Sequence, residues 1–195
     1  STTTPFSGRV RAVPKAGGAI ETLVANAASP LVVQLAANGE LLYADGVIDY
    51  LPGSTSGIYR RTQTGSIVGV VGGIAGAAPI AVDATHVLVA EGWWIKRVPR
   101  NGGAPLPVTQ ASFDIESLDV EAGYVYFVES DLGAVKRAPI TGGVPTFLGT
   151  GSGMPFDLRV RNGQVYWLLG LDKLLRVSVT GGAVETVASG LRAAE

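Results

Sequence analysis

The chain has 195 residues, 47% of them hydrophobic and only 16% charged, with a formal net charge of -1 and no cysteine. That much apolar side chain excludes a disordered chain, and the near-zero charge leaves no basic field to hold nucleic acid or anionic lipid. Without cysteine there are no disulfides and no thiolate metal sites, so the redox compartment stays open.

The opening Ser1-Thr2-Thr3-Thr4-Pro5 is neither a signal peptide nor an initiator start, which fits a cleaved chain or a piece of something longer. The first clear element is a strand entering a glycine turn, Val10-Arg11-Ala12-Val13-Pro14-Lys15-Ala16-Gly17-Gly18, followed by an alternating segment from Ile20 to Val24. Leu31 to Leu35, the turn Asn38-Gly39 and Leu41 to Ala44 come next. Asn-Gly is a strong hairpin signal because both residues accept positive φ. The strand and glycine turn then return as Ile58-Tyr59-Arg60-Arg61-Thr62-Gln63-Thr64-Gly65-Ser66, with Ile67 to Val71 behind them. The weakly charged stretch Ser66 to Val82 is broken by glycines and Pro79 and predicts no membrane span.

The third copy runs Ile80-Ala81-Val82, a turn at Asp83-Ala84-Thr85, Val87 to Ala90, Ile95 to Gly103 and Leu106 to Val108. The fourth has Leu118 to Val120, Val125 to Val128, Val135 to Gly143 and Val144 to Leu148. The fifth has Leu158 to Val160, Asn162-Gly163, Val165 to Leu168, Leu174 to Gly182 and Val184 to Val187. The first turn glycine falls at 17, 65, 102, 142 and 181, so the repeats span 48, 37, 40 and 39 residues. Nothing holds a 3.6-residue period, so almost no helix is expected. Four short antiparallel strands per repeat of about 40 residues predict an all-β chain of β-propeller blades. A β-solenoid is the runner-up, disfavoured because its coils are shorter and parallel. The repeats are drawn at 1–29, 30–78, 79–113, 114–156 and 157–195.

The run Val125-Tyr126-Phe127-Val128-Glu129, followed by Val135-Lys136-Arg137-Ala138 and the glycine turn, resembles the YWTD repeat of six-bladed, TolB-like propellers. Tyr166-Trp167 matches the first half of that motif, and Pro79-Ile80-Ala81-Val82-Asp83 with Val87-Leu88-Val89-Ala90-Glu91 is similar to the NHL repeat. No second strand spells Tyr-Trp-Thr-Asp in full. The acidic position holds Asp45, Glu91 and Glu129 but Leu169 in the last repeat, while the third strand carries Arg60, Arg97, Arg137 and Arg176, with Ala12 in the first copy. Acid and arginine are expected to pair within each blade as repeated structural bridges, with Arg176 finding another partner.

Little else carries chemistry. His86 is the only histidine and sits beside a hairpin turn. The resemblance places Asp83, Asp119 and Asp157 near the central channel, where calcium-bearing propeller lactonases hold their metal, although Arg159 and Arg161 at equivalent positions repel a cation. No metal or other cofactor is assigned. Trp167 is expected to pack between blades. The adjacent Trp93 and Trp94, expected to face opposite sides of a strand with one exposed, are binding candidates together with Tyr50 and Leu51 in the insertion 47–56. Pair and insertion are expected to be the only large exposed apolar features outside the repeat.

Two functions follow. One is a non-enzymatic binding or scaffolding propeller for a protein or glycan, from the cell envelope or exterior of a bacterium. The other is a metal-dependent propeller lyase or lactonase acting at the channel. Aligning Val13 with Val177 sets Ser1 on Val165, so the first blade lacks its first strand and most of its second. A second copy or another polypeptide is therefore expected to complete the ring or pair its open edges, unless the chain is a fragment.

Overall fold

The computed structural model describes residues 8–27, 30–45, 57–74, 79–131, 133–170 and 172–191, and every regular element among them is a strand. Four complete blades follow one another. Blade 2 is β3 (Pro30–Leu35), β4 (Leu41–Asp45), β5 (Gly57–Arg61) and β6 (Ile67–Gly72). Blade 3 is β7 (Ile80–Val82), β8 (His86–Glu91), β9 (Trp94–Pro99) and β10 (Leu106–Gln110). Blade 4 is β11 (Ile115–Glu121), β12 (Tyr124–Glu129), β13 (Ala134–Pro139) and β14 (Thr146–Thr150). Blade 5 is β15 (Pro155–Arg161), β16 (Gln164–Leu169), β17 (Lys173–Ser178) and β18 (Glu185–Ala188). Each is a four-stranded antiparallel meander in chain order. Ahead of them β1 (Gly8–Ala12) and β2 (Glu21–Ala27) form a two-stranded ribbon whose register matches the third and fourth strands of a blade. The last repeat boundary shifts: β15 begins at Pro155, within the stretch assigned from sequence to the fourth repeat.

The core lies between blades rather than within any one of them. A strand exposes alternate residues to its two faces, and here both faces are apolar. Leu42, Ala44 and Ile58 of blade 2 meet Ile80, Val87 and Val89 of blade 3. Leu88, Ala90 and Ile95 meet Leu118, Val125 and Phe127. Tyr126, Val128 and Val135 meet Leu158, Val160 and Trp167 of blade 5. Trp167 is fully buried there, as its place on an alternating strand implied. At the start, Val10, Val24 and Ala27 of the ribbon cover Leu41 and Tyr43 of β4. Each of the larger side chains, Val, Leu, Ile or Phe, contributes roughly 1.5–3 kcal/mol by leaving water.

First strands stand side by side and carry a second kind of linkage. Alternate residues of β11 project toward β15: the Leu158 N–H donates to Ser117 Oγ at 3.1 Å, and the Val160 N–H to Asp119 Oδ2 at 3.0 Å. The Asn162 N–H then donates to Glu121 Oε1 at 3.2 Å. Partners rise together along both strands, so equivalent strands of successive blades run in the same direction. In blade 2 Gln34 makes a similar link, donating from Nε2 to the Ile80 carbonyl at 3.2 Å. All turns joining second to third strands therefore lie at one end of the array, together with the links from one blade to the next.

Candidate functional site

At that end, Gly92 and Trp93 form the two-residue turn between Glu91 and Trp94, which face each other across β8 and β9. Gly92 has φ 56°, the left-handed region that favours glycine. Trp93 therefore belongs to a turn, and strand alternation does not govern it. It is 51% exposed and Trp94 42%, so both indoles reach solvent, where alternation led us to expect one. The turn is anchored: the Ala111 N–H donates to the Trp93 carbonyl at 2.7 Å, and Trp94 pairs with Gln110. Tyr50, Leu51 and the rest of the insertion 47–56 lie outside the described residues. β4 and β5, which flank them, end at the same end as the Trp93 turn. The described residues also expose Phe147, Phe156 and Met154, so the tryptophans are not alone in presenting large apolar surface.

The acid–arginine pairs expected in each blade are not formed, and pleat parity explains why. In blade 3 Lys96 lies opposite Val89, on the face of Glu91, whereas Arg97 lies opposite Leu88 on the other face. Glu91 accordingly takes Lys96 at 2.5 Å. Glu129 takes Lys136 at 2.8 Å and accepts the Ser112 N–H at 2.9 Å, while Arg137 faces Tyr126 and stacks 4.7 Å from the Tyr124 ring centroid. Burial pushes the Tyr126 phenol above its ordinary range, with Arg137 acting in the opposite direction. Asp45 and Arg60 likewise occupy opposite faces of blade 2. Arg176 pairs with Glu185 at 2.6 Å, which holds its guanidinium more firmly protonated.

Arg60 belongs instead to a cluster that the repeat pattern concealed. Glu40 receives Arg60 at 3.2 Å and, from blade 3, Arg100 at 2.5 Å. Asn38 and the two guanidiniums hold the Glu40 carboxyl below its usual range against the opposing effect of burial. An open depression of about 500 Å³ lies over this clasp, lined by Asn38, Glu40, Arg60, His86 and Arg100. His86 is partly buried, with Nδ1 2.8 Å from Thr85 Oγ1.

The channel carboxylates already have partners. Asp83 accepts the Thr85 and His86 N–H groups, both at 2.6 Å, and so closes its own turn. Asp119 accepts Val160 and Arg161, while Asp157 accepts Arg159 at 2.6 Å and the Ser117 hydroxyl at 3.2 Å. Among the described residues no three His, Cys, Asp or Glu side chains lie together as a metal cage.

Stacked four-stranded meanders with parallel first strands decide the architecture. The chain is a β-propeller. Three solved structures agree, each similar over nearly the whole length. A chain from a nidogen–laminin complex matches with TM-score 0.75 at 12% identity, covering 95% of this chain and 77% of that one. A putative gluconolactonase matches with TM-score 0.66 at 18% identity, covering 95% and 69%. A luciferin-regenerating enzyme matches with TM-score 0.65 at 12% identity, covering 94% and 75%. At such identities the likeness is one of fold, in keeping with the YWTD- and NHL-like reading of the repeats. No family model matches the chain, and no curated protein matches it in sequence.

Proposed function

We propose that this propeller is a non-enzymatic binding module that takes a protein segment on the end of the array bearing Trp93 and Trp94. The exposure of two adjacent indoles on one anchored turn carries the reading. Tryptophan is enriched among interface hot spots, and a pre-ordered turn loses little freedom when it is covered. The partnership implied by the nidogen–laminin complex, whose chain shares this fold, is in keeping with it.

The test is to replace Trp93 and Trp94 by alanine, singly and together, with Phe147→Ala as a control on an outer strand. Melting temperature, retention of protein ligands from the native source and a glycan array are then read side by side. The double variant is expected to melt within a few degrees of the parent and to lose protein binding at least tenfold. Unchanged retention defeats the proposal, as does unfolding by both single substitutions; loss of glycan signal alone moves the site to a sugar ligand. The alternative, a metal-dependent lyase or lactonase, draws support from the putative gluconolactonase of like fold. It requires the melting midpoint to rise with calcium, magnesium or manganese.

A further inference from the structure

Trp94 stands directly opposite Glu91 across β8 and β9. Directly opposed residues share a face of the sheet, so the Glu91 carboxylate lies on the same face as the Trp94 indole. Toward blade 4, the link between blades starts at the Ala111 N–H bond to the Trp93 carbonyl and ends at the next turn, where the Ser130 N–H donates to the Asp114 carbonyl at 2.9 Å. Asp114 and Asp131 are exposed, and among the described residues neither carboxylate has a partner. The cations along this path are Lys96 and Lys136, and glutamates take both: Glu91 the first and the buried Glu129 the second. The way from the tryptophans to the turn of blade 4 therefore carries uncompensated negative charge, in a chain whose formal net charge is only -1.

We propose that the protein segment taken at Trp93 and Trp94 is basic: an arginine or lysine of the partner lies over one of the indoles and turns its charge toward Asp114. This rests on the tryptophan turn being a binding surface and adds the chemistry of the partner. The face of an indole carries the negative side of its quadrupole and attracts a cation, more strongly than the other aromatic rings do. The chain makes one such contact internally, with the Arg137 guanidinium 4.7 Å from the Tyr124 ring centroid. The apolar stem of an arginine or lysine also covers ring surface that water otherwise wets, while its charged head stays at the rim. There Asp114 meets it, and a second cation further along an extended segment meets Asp131. An acidic segment on the same path sets like charges against both carboxylates, which slows encounter and weakens the complex.

The probe is a displayed library of random peptides, selected in parallel on the intact chain and on its Trp93→Ala/Trp94→Ala variant. Peptides held by the first and not by the second are synthesised. They are expected to be enriched in arginine and lysine, to bind Asp114→Asn/Asp131→Asn about tenfold more weakly or worse, and to loosen as salt rises. Both carboxylates are exposed, so that variant is expected to melt with the parent. Glu185→Gln, which removes an exposed carboxylate on blade 5, is expected to bind the peptides as the parent does. Tryptophan-dependent peptides that are neutral or acidic, or that bind Asp114→Asn/Asp131→Asn undiminished, overturn the basic partner and leave the binding surface standing. An equal loss in Glu185→Gln overturns it too, by showing attraction to the charge of the whole protein. Should Asp114→Asn/Asp131→Asn melt below the parent, the parent's own salt dependence decides, and affinity indifferent to salt overturns the proposal. If no peptide depends on the tryptophans, the surface and its basic partner fall together.

Discussion

Lys96 and Lys136 occupy the same position in successive blades and hold equivalent glutamates, yet their removal is expected to have very different effects. The Glu129 side chain is 1% exposed, with Lys136 and the Ser112 N–H as its described partners. Lys136→Met keeps the aliphatic stem but strands a carboxylate in the interior, a change that costs about 3–5 kcal/mol. Glu91 is 28% exposed, and water takes over when its lysine is lost, so Lys96→Met is expected to cost only ~0.2–1 kcal/mol. At about 2–4 °C per kcal/mol for a chain of this size, Lys136→Met should melt roughly 6–20 °C below the parent and Lys96→Met less than about 4 °C below it. Thermal unfolding followed by circular dichroism reads both values. Adding Glu129→Gln to Lys136→Met should restore much of the loss, because a neutral amide costs less to bury than an unpaired charge. Equal small losses in both single variants, or no recovery in the double variant, would refute burial as the cause.

Further outcomes follow from other contacts. Asp119→Ala removes the acceptor of the Val160 N–H and should cost about 1–3 kcal/mol, with faster amide exchange at Val160; unchanged exchange there contradicts the inter-blade ladder. Burial, with Asp45 and Tyr59 adding to it, pushes the Tyr43 phenol from 10.0 to about 12. The stability due to its neutral form is therefore complete below pH 10 and lost as pH rises toward about 12. Absorbance titration should show a late tyrosinate at about 12 that Tyr43→Phe removes, and an unchanged late component in Tyr43→Phe argues against it. Gly163→Ala should cost about 1–2 kcal/mol for its positive φ alone. Gly133→Ala should cost more, since its new Cβ falls 2.6 Å from the Gly151 carbonyl oxygen, and equal urea midpoints would contradict that close approach.

The blades were legible because their signals are local. Glycine turns such as Gly102-Gly103 and Gly142-Gly143 adopt positive φ, and alternating strands such as Val125 to Val128 recur at a fixed distance from them. The ion pairs do not follow the columns of the repeat because pleat parity sets Lys136 rather than Arg137 beside Glu129. The Glu40 clasp joins residues 60 positions apart and the Asp119–Val160 contact spans 41, so neither has a local signature. The alternation Ser117-x-Asp119-x-Glu121 was visible in the sequence. Its meaning appears only once β15 lies alongside. Trp93 departs from the expected strand because the two-residue turn opened by Gly92 interrupts the alternation one residue before β9 begins.

Acrylamide quenching of tryptophan fluorescence tests most directly the presentation of both indoles on an anchored turn. Trp167→Phe leaves only Trp93 and Trp94, and the double variant Trp93→Phe/Trp94→Phe leaves only Trp167. The first protein is expected to be quenched strongly and the second weakly, since two indoles reach water and one lies in the core between blades. Weak quenching of the Trp93–Trp94 protein in its folded state would place those rings inside the structure and remove the surface on which the proposed binding depends.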